Sequence, residues 1–265
     1  LKVPYLGPVP AFTMNGASNE IPVELISVHS PKSTASEAYR GLRTSLLLSS
    51  ADKKPRVIMV TSAGPLEGKT LTSSNIAVTM ARSHESVLLI DGDMRRPRVH
   101  QVFQVNHKKG LSGVLVGTDK TADAVIETPV KGLYLLPVGP IPPNPSELIG
   151  SKTMGRFLSS LKEKFEVIVI DTPPLTAVTD ALVLSQFVDG VMLVTRTGVT
   201  PRQVIKSSLE QLQATKANIL GVVLNGVKTG KDSYYYSQYY YSYYGEGNDK
   251  KKRRGKQKRV KGSYV

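Results

Sequence analysis

One octapeptide constrains this chain more than any other stretch: Ala63-Gly64-Pro65-Leu66-Glu67-Gly68-Lys69-Thr70. It follows the apolar run Val57 to Val60, which reads as a buried strand, and leads into Leu71 to Arg82, which reads as a helix. A glycine-bearing loop between strand and helix, closing on Gly-Lys-Thr, is the context that makes a phosphate-binding loop specific. Backbone N–H groups converge on such a loop and the helix N-terminus adds partial positive charge, so an anion is held there. Lys69 is expected to reach the β/γ-phosphates of a nucleotide and the Thr70 hydroxyl to ligate Mg²⁺. Gly64, Pro65, Leu66, Glu67, Gly68 and Leu71 complete the cradle, and Ala63 stands where many such loops carry their first glycine.

A second apolar run, Val87 to Ile90, ends in Asp91-Gly92-Asp93-Met94-Arg95-Arg96-Pro97. Carboxylates two residues apart at the C-terminal end of a strand sit where open α/β sheets build their sites. If this strand lies beside the loop strand, Asp91 and Asp93 face the γ-phosphate. There they hold Mg²⁺ through water and accept a proton from an attacking hydroxyl. A third run, Val167 to Ile170, ends in Asp171 and turns at Thr172-Pro173-Pro174. An apolar strand closing on an acid downstream of a phosphate loop is the usual Walker B partner in binding Mg²⁺.

Further strands are expected over Gly132 to Val138, Gly190 to Thr195 and Ile219 to Leu224, the last reaching Asn225. Helices are expected near Pro97 to Phe103, Leu111 to Val116, Ala122 to Ile126 and Met154 to Lys164. Thr200-Pro201 opens another in the preferred order of cap then proline. Asp180 caps or precedes one that reaches Phe187, and Pro142 to Glu147 is a stiff loop into a helix with Ser146 as its cap. Strands that are continuous apolar runs, with helices between them, predict a mostly parallel sheet covered by helices on both faces. That is the α/β fold of a P-loop NTPase of the deviant Walker kind.

Ahead of this core, residues 1–30 carry several prolines and little periodicity. Leu6-Gly7-Pro8-Val9-Pro10 reads as a linker, and a start at Leu1 reads as a fragment or a trimmed chain. From Pro31 to Ser50 the character changes: Ser33 or Ser36 caps a helix with Ala38, Leu42 and Leu46 on its apolar face. Glu37, Arg40 and Arg43 recur along one face of that helix, which by itself reads as a charged surface. Cysteine is absent, which excludes disulfides, thiolate nucleophiles and cysteine metal sites and suits a reducing, cytoplasmic setting. The four histidines show no ligand spacing. No apolar run approaches the ~20 residues that span a bilayer, and no signal peptide is present.

Beyond Lys228 the composition changes. Tyr234, Tyr235, Tyr236, Tyr239, Tyr240, Tyr241, Tyr243 and Tyr244 put eight tyrosines in eleven positions, whereas the rest of the chain has four. A strand or helix would expose half of them, so residues 229–265 read as a flexible low-complexity tail behind a domain of residues 31–228. From Asp249 onward nine Lys/Arg stand against one Asp, more than half of the formal net charge of +14. Such a run suits an anionic partner, a membrane surface in particular.

A nucleotide-hydrolysing core followed by a tail of phenols suggests that the tail is the substrate. Ser62 to Thr70, Leu88 to Arg95 with Pro97 and His100, Pro142 to Ser151, Val167 to Pro174, the Glu37–Arg40–Arg43 triplet and the tyrosine cluster together carry a resemblance. Over nearly its whole length the chain resembles the bacterial tyrosine kinases of capsule and exopolysaccharide export. Leu66 and Glu67 stand where that family often has smaller residues, and Lys250 to Lys261 extends past the tyrosines, where many members stop.

The resemblance implies ATP- and Mg²⁺-dependent autophosphorylation of the tyrosine cluster, in trans, inside a ring of subunits that is octameric in the family. It places Glu37, Arg40 and Arg43 at the subunit interface. It also implies a membrane-spanning polysaccharide co-polymerase as activator, fused or separate, and so a place on the cytoplasmic side of the bacterial inner membrane. Lys69, Asp91, Asp93 and Asp171 become the catalytic set: Asp91 accepts the phenol proton, while Asp93 and Asp171 position the metal with Thr70. Arg95 touches phosphate or the interface, and Asn225 contacts adenine. The runner-up is a partitioning or site-selecting ATPase of the deviant Walker group, binding DNA or membrane without kinase activity. Its signature lysine, five residues before Lys69, is Gly64 here. A nucleic-acid scaffold that stacks its aromatic tail on bases ranks last.

Overall fold

The structure, a computed structural model, describes residues 3–12, 23–49, 54–84 and 86–228. The tyrosine cluster and the basic run lie outside these residues. The described strands are β1 (Tyr5–Pro10), β2 (Val57–Ser62), β3 (Val87–Asp91), β4 (Ile126–Glu127), β5 (Leu133–Leu136), β6 (Val167–Asp171), β7 (Gly190–Arg196) and β8 (Ile219–Val227). The helices are α1 (Ile26–His29), α2 (Thr34–Leu48), α3 (Lys69–Ala81), α4 (Val99–Val102), α5 (Leu111–Val116), α6 (Thr121–Ala124), α7 (Pro145–Ile149), α8 (Lys152–Leu161), α9 (Asp180–Leu184) and α10 (Arg202–Ala214). Among the described residues no helix is long and apolar enough to cross a membrane.

The strands form one sheet in the order β1-β8-β7-β2-β6-β3-β5-β4, parallel except where β4 meets β5. Every residue of β2, β3 and β6 is buried, as their unbroken apolar runs require of strands covered on both faces. Alternate side chains go to opposite faces. Ile58 and Val60 join Tyr39, Leu42, Leu46, Ile76 and Met80 of α2 and α3 in one core. Val57 and Met59 join Met154, Phe157, Leu184, Leu209 and Leu212 of α8, α9 and α10 in the other.

The strand order corrects one expectation. β3 does not lie beside the loop strand, because β6 stands between them. The β6–β3 register sets Asp171 opposite Asp91, so the two acid-tipped strands deliver their carboxylates together.

Local signals explain two of the helix starts. Ser33 caps α2, its side chain accepting from the Ser36 N–H at 3.2 Å. Ser151 caps α8 in the same way, accepting from Met154 N–H at 3.1 Å. Ser146, expected as a cap, lies inside α7 and turns its hydroxyl to Asp180 at 2.5 Å.

Two strands were not evident in the sequence. The expected linker Leu6–Pro10 is most of β1, an edge strand paired in parallel with β8. Proline reads as punctuation, yet an edge strand tolerates it where the missing N–H faces no neighbour. Leu6 and Val9 are buried. The expected helix through Ile126 stops at Ala124, and Ile126 and Glu127 pair with β5.

Candidate active site

The loop after β2 turns into α3 at Gly68, whose φ of +93° belongs to the left-handed region. Glycine takes that conformation without cost. From this turn Lys69 and Thr70 project toward the acids at the ends of β3 and β6. Lys69 Nζ lies 2.9 Å from Asp93 Oδ2 and 3.6 Å from Asp171 Oδ2. The Thr70 hydroxyl donates to Asp171 Oδ2 at 2.7 Å. Gly92 allows the two acid strands to close up: its N–H donates to the Asp171 carbonyl at 2.7 Å, and a Cβ there would stand 2.8 Å from that oxygen.

Asp91 is fully buried and accepts three backbone N–H groups, from Asp93 at 3.2 Å, Arg98 at 3.1 Å and Val99 at 3.0 Å. It therefore shapes the loop that follows β3. Burial, then the neighbouring Asp171 carboxylate, push Asp91 up to about 8, against the pull of the Val99 N–H and of Lys69. Burial raises Asp171 as well, opposed by Lys69 and Thr70. Burial alone would lower Lys69, but Asp171, Asp93 and Asp91 outweigh it and hold the ammonium charged. Lys69 stands against the Asp93 and Asp171 side chains, and Asp171 Oδ1 is buried with no hydrogen-bond partner.

Those features fit Mg²⁺. The ion binds through one or two carboxylates, a hydroxyl, substrate phosphates and water rather than an all-protein cage. Consistent with that, no group of three or more His, Cys, Asp or Glu among the described residues is arranged to hold an ion alone.

Other expected site residues have other neighbours. Arg95 is engaged by Asp180, with Nε to Oδ2 at 2.9 Å and Nη2 to Oδ1 at 3.1 Å, and reaches Ser146 Oγ at 2.8 Å. Asn225 Nδ2 donates to the Glu67 carbonyl at 2.8 Å, bracing the phosphate loop. Arg40 pairs with Glu37 and donates to the Pro31 carbonyl at 2.8 Å, while Arg43 donates to the Thr79 carbonyl at 2.9 Å and Ser83 Oγ at 2.7 Å. The triplet thus has partners within its own chain.

Asp180, Arg196 and Thr200 also bear on the site and were not singled out from the sequence. In the sequence Asp180 carries only a capping signal, and Thr200 reads as a helix cap. Its hydroxyl instead meets Glu67 Oε1. Thr172 Oγ1 bonds the Val60 carbonyl at 3.0 Å and Thr61 Oγ1 the Pro173 carbonyl at 2.9 Å, pinning β2 to the Thr-Pro-Pro turn.

A nucleotide loop ringed by a lysine and two strand-end acid motifs defines a P-loop ATPase-type site, and comparisons narrow it. The family model described as AAA domain matches residues 56–219, more than half of the chain. The tyrosine-protein kinase YwqD of Bacillus subtilis is 39% identical over 211 residues, covering 80% of this chain and 89% of YwqD. The kinase domain of the Escherichia coli tyrosine kinase ETK superposes with a TM-score of 0.79 at 32% identity, covering 88% of this chain and 94% of that domain. The septum site-determining protein MinD of Pyrococcus horikoshii, complexed with Mg-ADP, matches at a TM-score of 0.54 and 27% identity over 64% of this chain and 70% of MinD. The chain belongs to the bacterial protein-tyrosine kinases built on this AAA domain. It is a protein-tyrosine kinase that uses ATP and Mg²⁺.

Proposed function

We propose that this kinase phosphorylates its own tyrosine cluster, Tyr234 to Tyr244, on a neighbouring copy within a homo-oligomeric ring. The observation that carries the reading is the convergence of Lys69, Thr70, Asp91, Asp93 and Asp171 in a chain that also carries eight phenols in eleven positions. A phenol with pKa ~10 is a weak nucleophile at neutral pH, so its proton must leave as it attacks. Asp91, at the end of β3 beside Asp171, is the proposed acceptor; burial raises it, so it is a stronger base than an ordinary carboxylate once it has given up its own proton. The phenol oxygen forms a bond to Pγ, the Pγ–O bond to the β-phosphate breaks in line, and ADP leaves. Lys69 and the loop amides of Gly64 to Leu71 hold the phosphates. Thr70, Asp93 and Asp171 would hold Mg²⁺, which supplies charge neutralisation when bound.

Glu37, Arg40 and Arg43 are proposed to exchange their internal partners for those of the adjacent subunit, in a ring of eight. A membrane-spanning polysaccharide co-polymerase, fused or separate, is proposed to hold and activate the kinase at the cytoplasmic face of the inner membrane, and so to couple it to capsule or exopolysaccharide export. The basic run Lys250 to Lys261 suits the anionic lipid there. Each phosphotyrosine adds about −1.5 to −2 charges, so full modification cancels the formal +14. The modified tail is therefore expected to leave a neighbour that the unmodified tail held, and light scattering would show the ring coming apart.

Intact-mass spectrometry after incubation with ATP and Mg²⁺ tests the reading. Successive additions of about 80 Da per phosphoryl group are expected on the wild type, and none on Lys69→Met or on a chain cut after Lys228. Additions that persist in the cut chain would remove the tail as acceptor.

A further inference from the structure

The phosphate loop is also held from the flank away from the acids. Arg196, at the end of β7, donates from Nη1 to the Leu66 carbonyl at 3.1 Å. Glu67 is only 3% exposed; its Oε1 accepts from the Thr200 hydroxyl, and its Oε2 is buried without a partner. Thr200 Oγ1 in turn accepts the Arg196 N–H at 2.9 Å, and the Asn225 carbonyl accepts the Thr197 N–H at 2.9 Å. A buried carboxylate is out of place in a loop built to attract phosphate, because like charges at short range repel. Its burial against Thr200 calls for a role other than touching the nucleotide.

We propose that Glu67 is a positioning residue: through Thr200 it straps the phosphate loop to the loop between β7 and α10, and so sets nucleotide affinity. The inference rests on the ATP-binding reading of the same loop. β7 and β8 flank β2 on the side opposite β6 and β3. The reacting end of the triphosphate belongs with Lys69, Asp93 and Asp171, so the strap acts on anchoring and not on transfer.

The test is the dissociation constant for Mg-ADP by calorimetry on the full chain, beside the rate of tyrosine phosphorylation at saturating ATP. Glu67→Ala is expected to weaken binding about 10-fold, the scale of one hydrogen bond to a charged group, with a rate changed less than about 3-fold. Thr200→Val leaves the Glu67 carboxylate buried with no partner at all, so it should weaken binding more. Glu67→Gln keeps a group that bonds Thr200 and should restore most of the affinity. In the Glu67→Ala background, Thr200→Val should add little.

Undiminished binding by Glu67→Ala, or additive losses in the double variant, would overturn the strap. So would a rate that falls as far as the affinity with no rescue by glutamine, since that marks a residue serving the fold generally. A wild type that binds no Mg-ADP would take down the nucleotide reading and the strap with it.

Discussion

The two flanks of the phosphate loop are held by different kinds of bond. Toward β6 and β3, Lys69 and Thr70 meet the side chains of Asp93 and Asp171. Toward β7 and β8, the loop offers backbone carbonyls, at Leu66 and Glu67, to Arg196 and Asn225. The first flank is charge on charge, with the Asp171 Oδ1 lone pairs unsatisfied, and must rearrange when phosphates and a cation arrive. The second is mainly backbone anchored. The acid flank thus carries groups suited to a cation and phosphates, and the opposite flank carries bonded backbone carbonyls suited to anchoring, with Glu67 Oε2 buried there without a partner.

The largest expected effect lies on the charged flank. Lys69→Met removes the cation proposed to face the phosphates and should cut tyrosine phosphorylation about 10²- to 10³-fold, the loss typical of one transition-state contact. Activity within tenfold of wild type, by phosphotyrosine quantification, would mean that the acids work without it.

On the anchoring flank, Gly68→Ala is the sharpest probe. A Cβ there would stand 2.0 Å from Asn225 Nδ2, and φ is +93°. The conformation alone costs alanine about 1–2 kcal/mol, and the collision must push Asn225 off the loop. Thermal shift with Mg-ADP should fall well below the roughly 5–10 °C expected for saturated wild type. Asn225→Ala in the same chain relieves the collision but not the φ, so it should restore only part. Full restoration would mean that the backbone turn carries no strain.

The charged flank also sets a pH dependence in the absence of metal and nucleotide. Asp91 is raised to about 8 when folded, against ~3.9 in the unfolded chain. Between those values the native state keeps a proton that the unfolded chain has lost, so stability falls as pH rises through that window and levels off above it. Asp171, raised in the same direction, adds to the slope. Chemical denaturation at several pH values should show a shallower decline for Asp91→Asn. A slope equal to wild type would mean that the three amide donors keep Asp91 ionised throughout.

Much of this was legible in the sequence because the physics is local. A strand buried on both faces must be an apolar run, and a phosphate loop must combine glycine, lysine and a hydroxyl in one short stretch. Val57 to Thr70, Leu88 to Asp93 and Val167 to Asp171 each carry their signal within fourteen residues or fewer. What was not legible depends on partners far along the chain. Nothing near Thr200 announces Glu67, 133 residues away, and nothing near Arg95 announces Asp180, 85 residues away. The order β2-β6-β3 is likewise a fact of topology that no single strand encodes.

The smallest expected effect concerns β1, where local signals misled. Two prolines in six residues read as a linker, but the strand pairs with β8, whose Asn225 braces the phosphate loop. Val9 is fully buried in the core under α2 and α3. If β1 is part of that core, Val9→Ala loses two methyl groups of buried surface and leaves a small cavity. That should lower the free energy of unfolding by about 2 kcal/mol. Val9 lies opposite Asn225 in the β1–β8 register, but its side chain packs into the core and not onto the loop, so phosphorylation at saturating ATP should stay within about twofold of wild type, and the affinity for Mg-ADP likewise. A stability equal to wild type would return residues 5–10 to the status of a linker. A loss of affinity matching the loss of stability would mean instead that β8 transmits the packing of β1 to Asn225, making the anchoring flank less self-contained than its hydrogen bonds suggest.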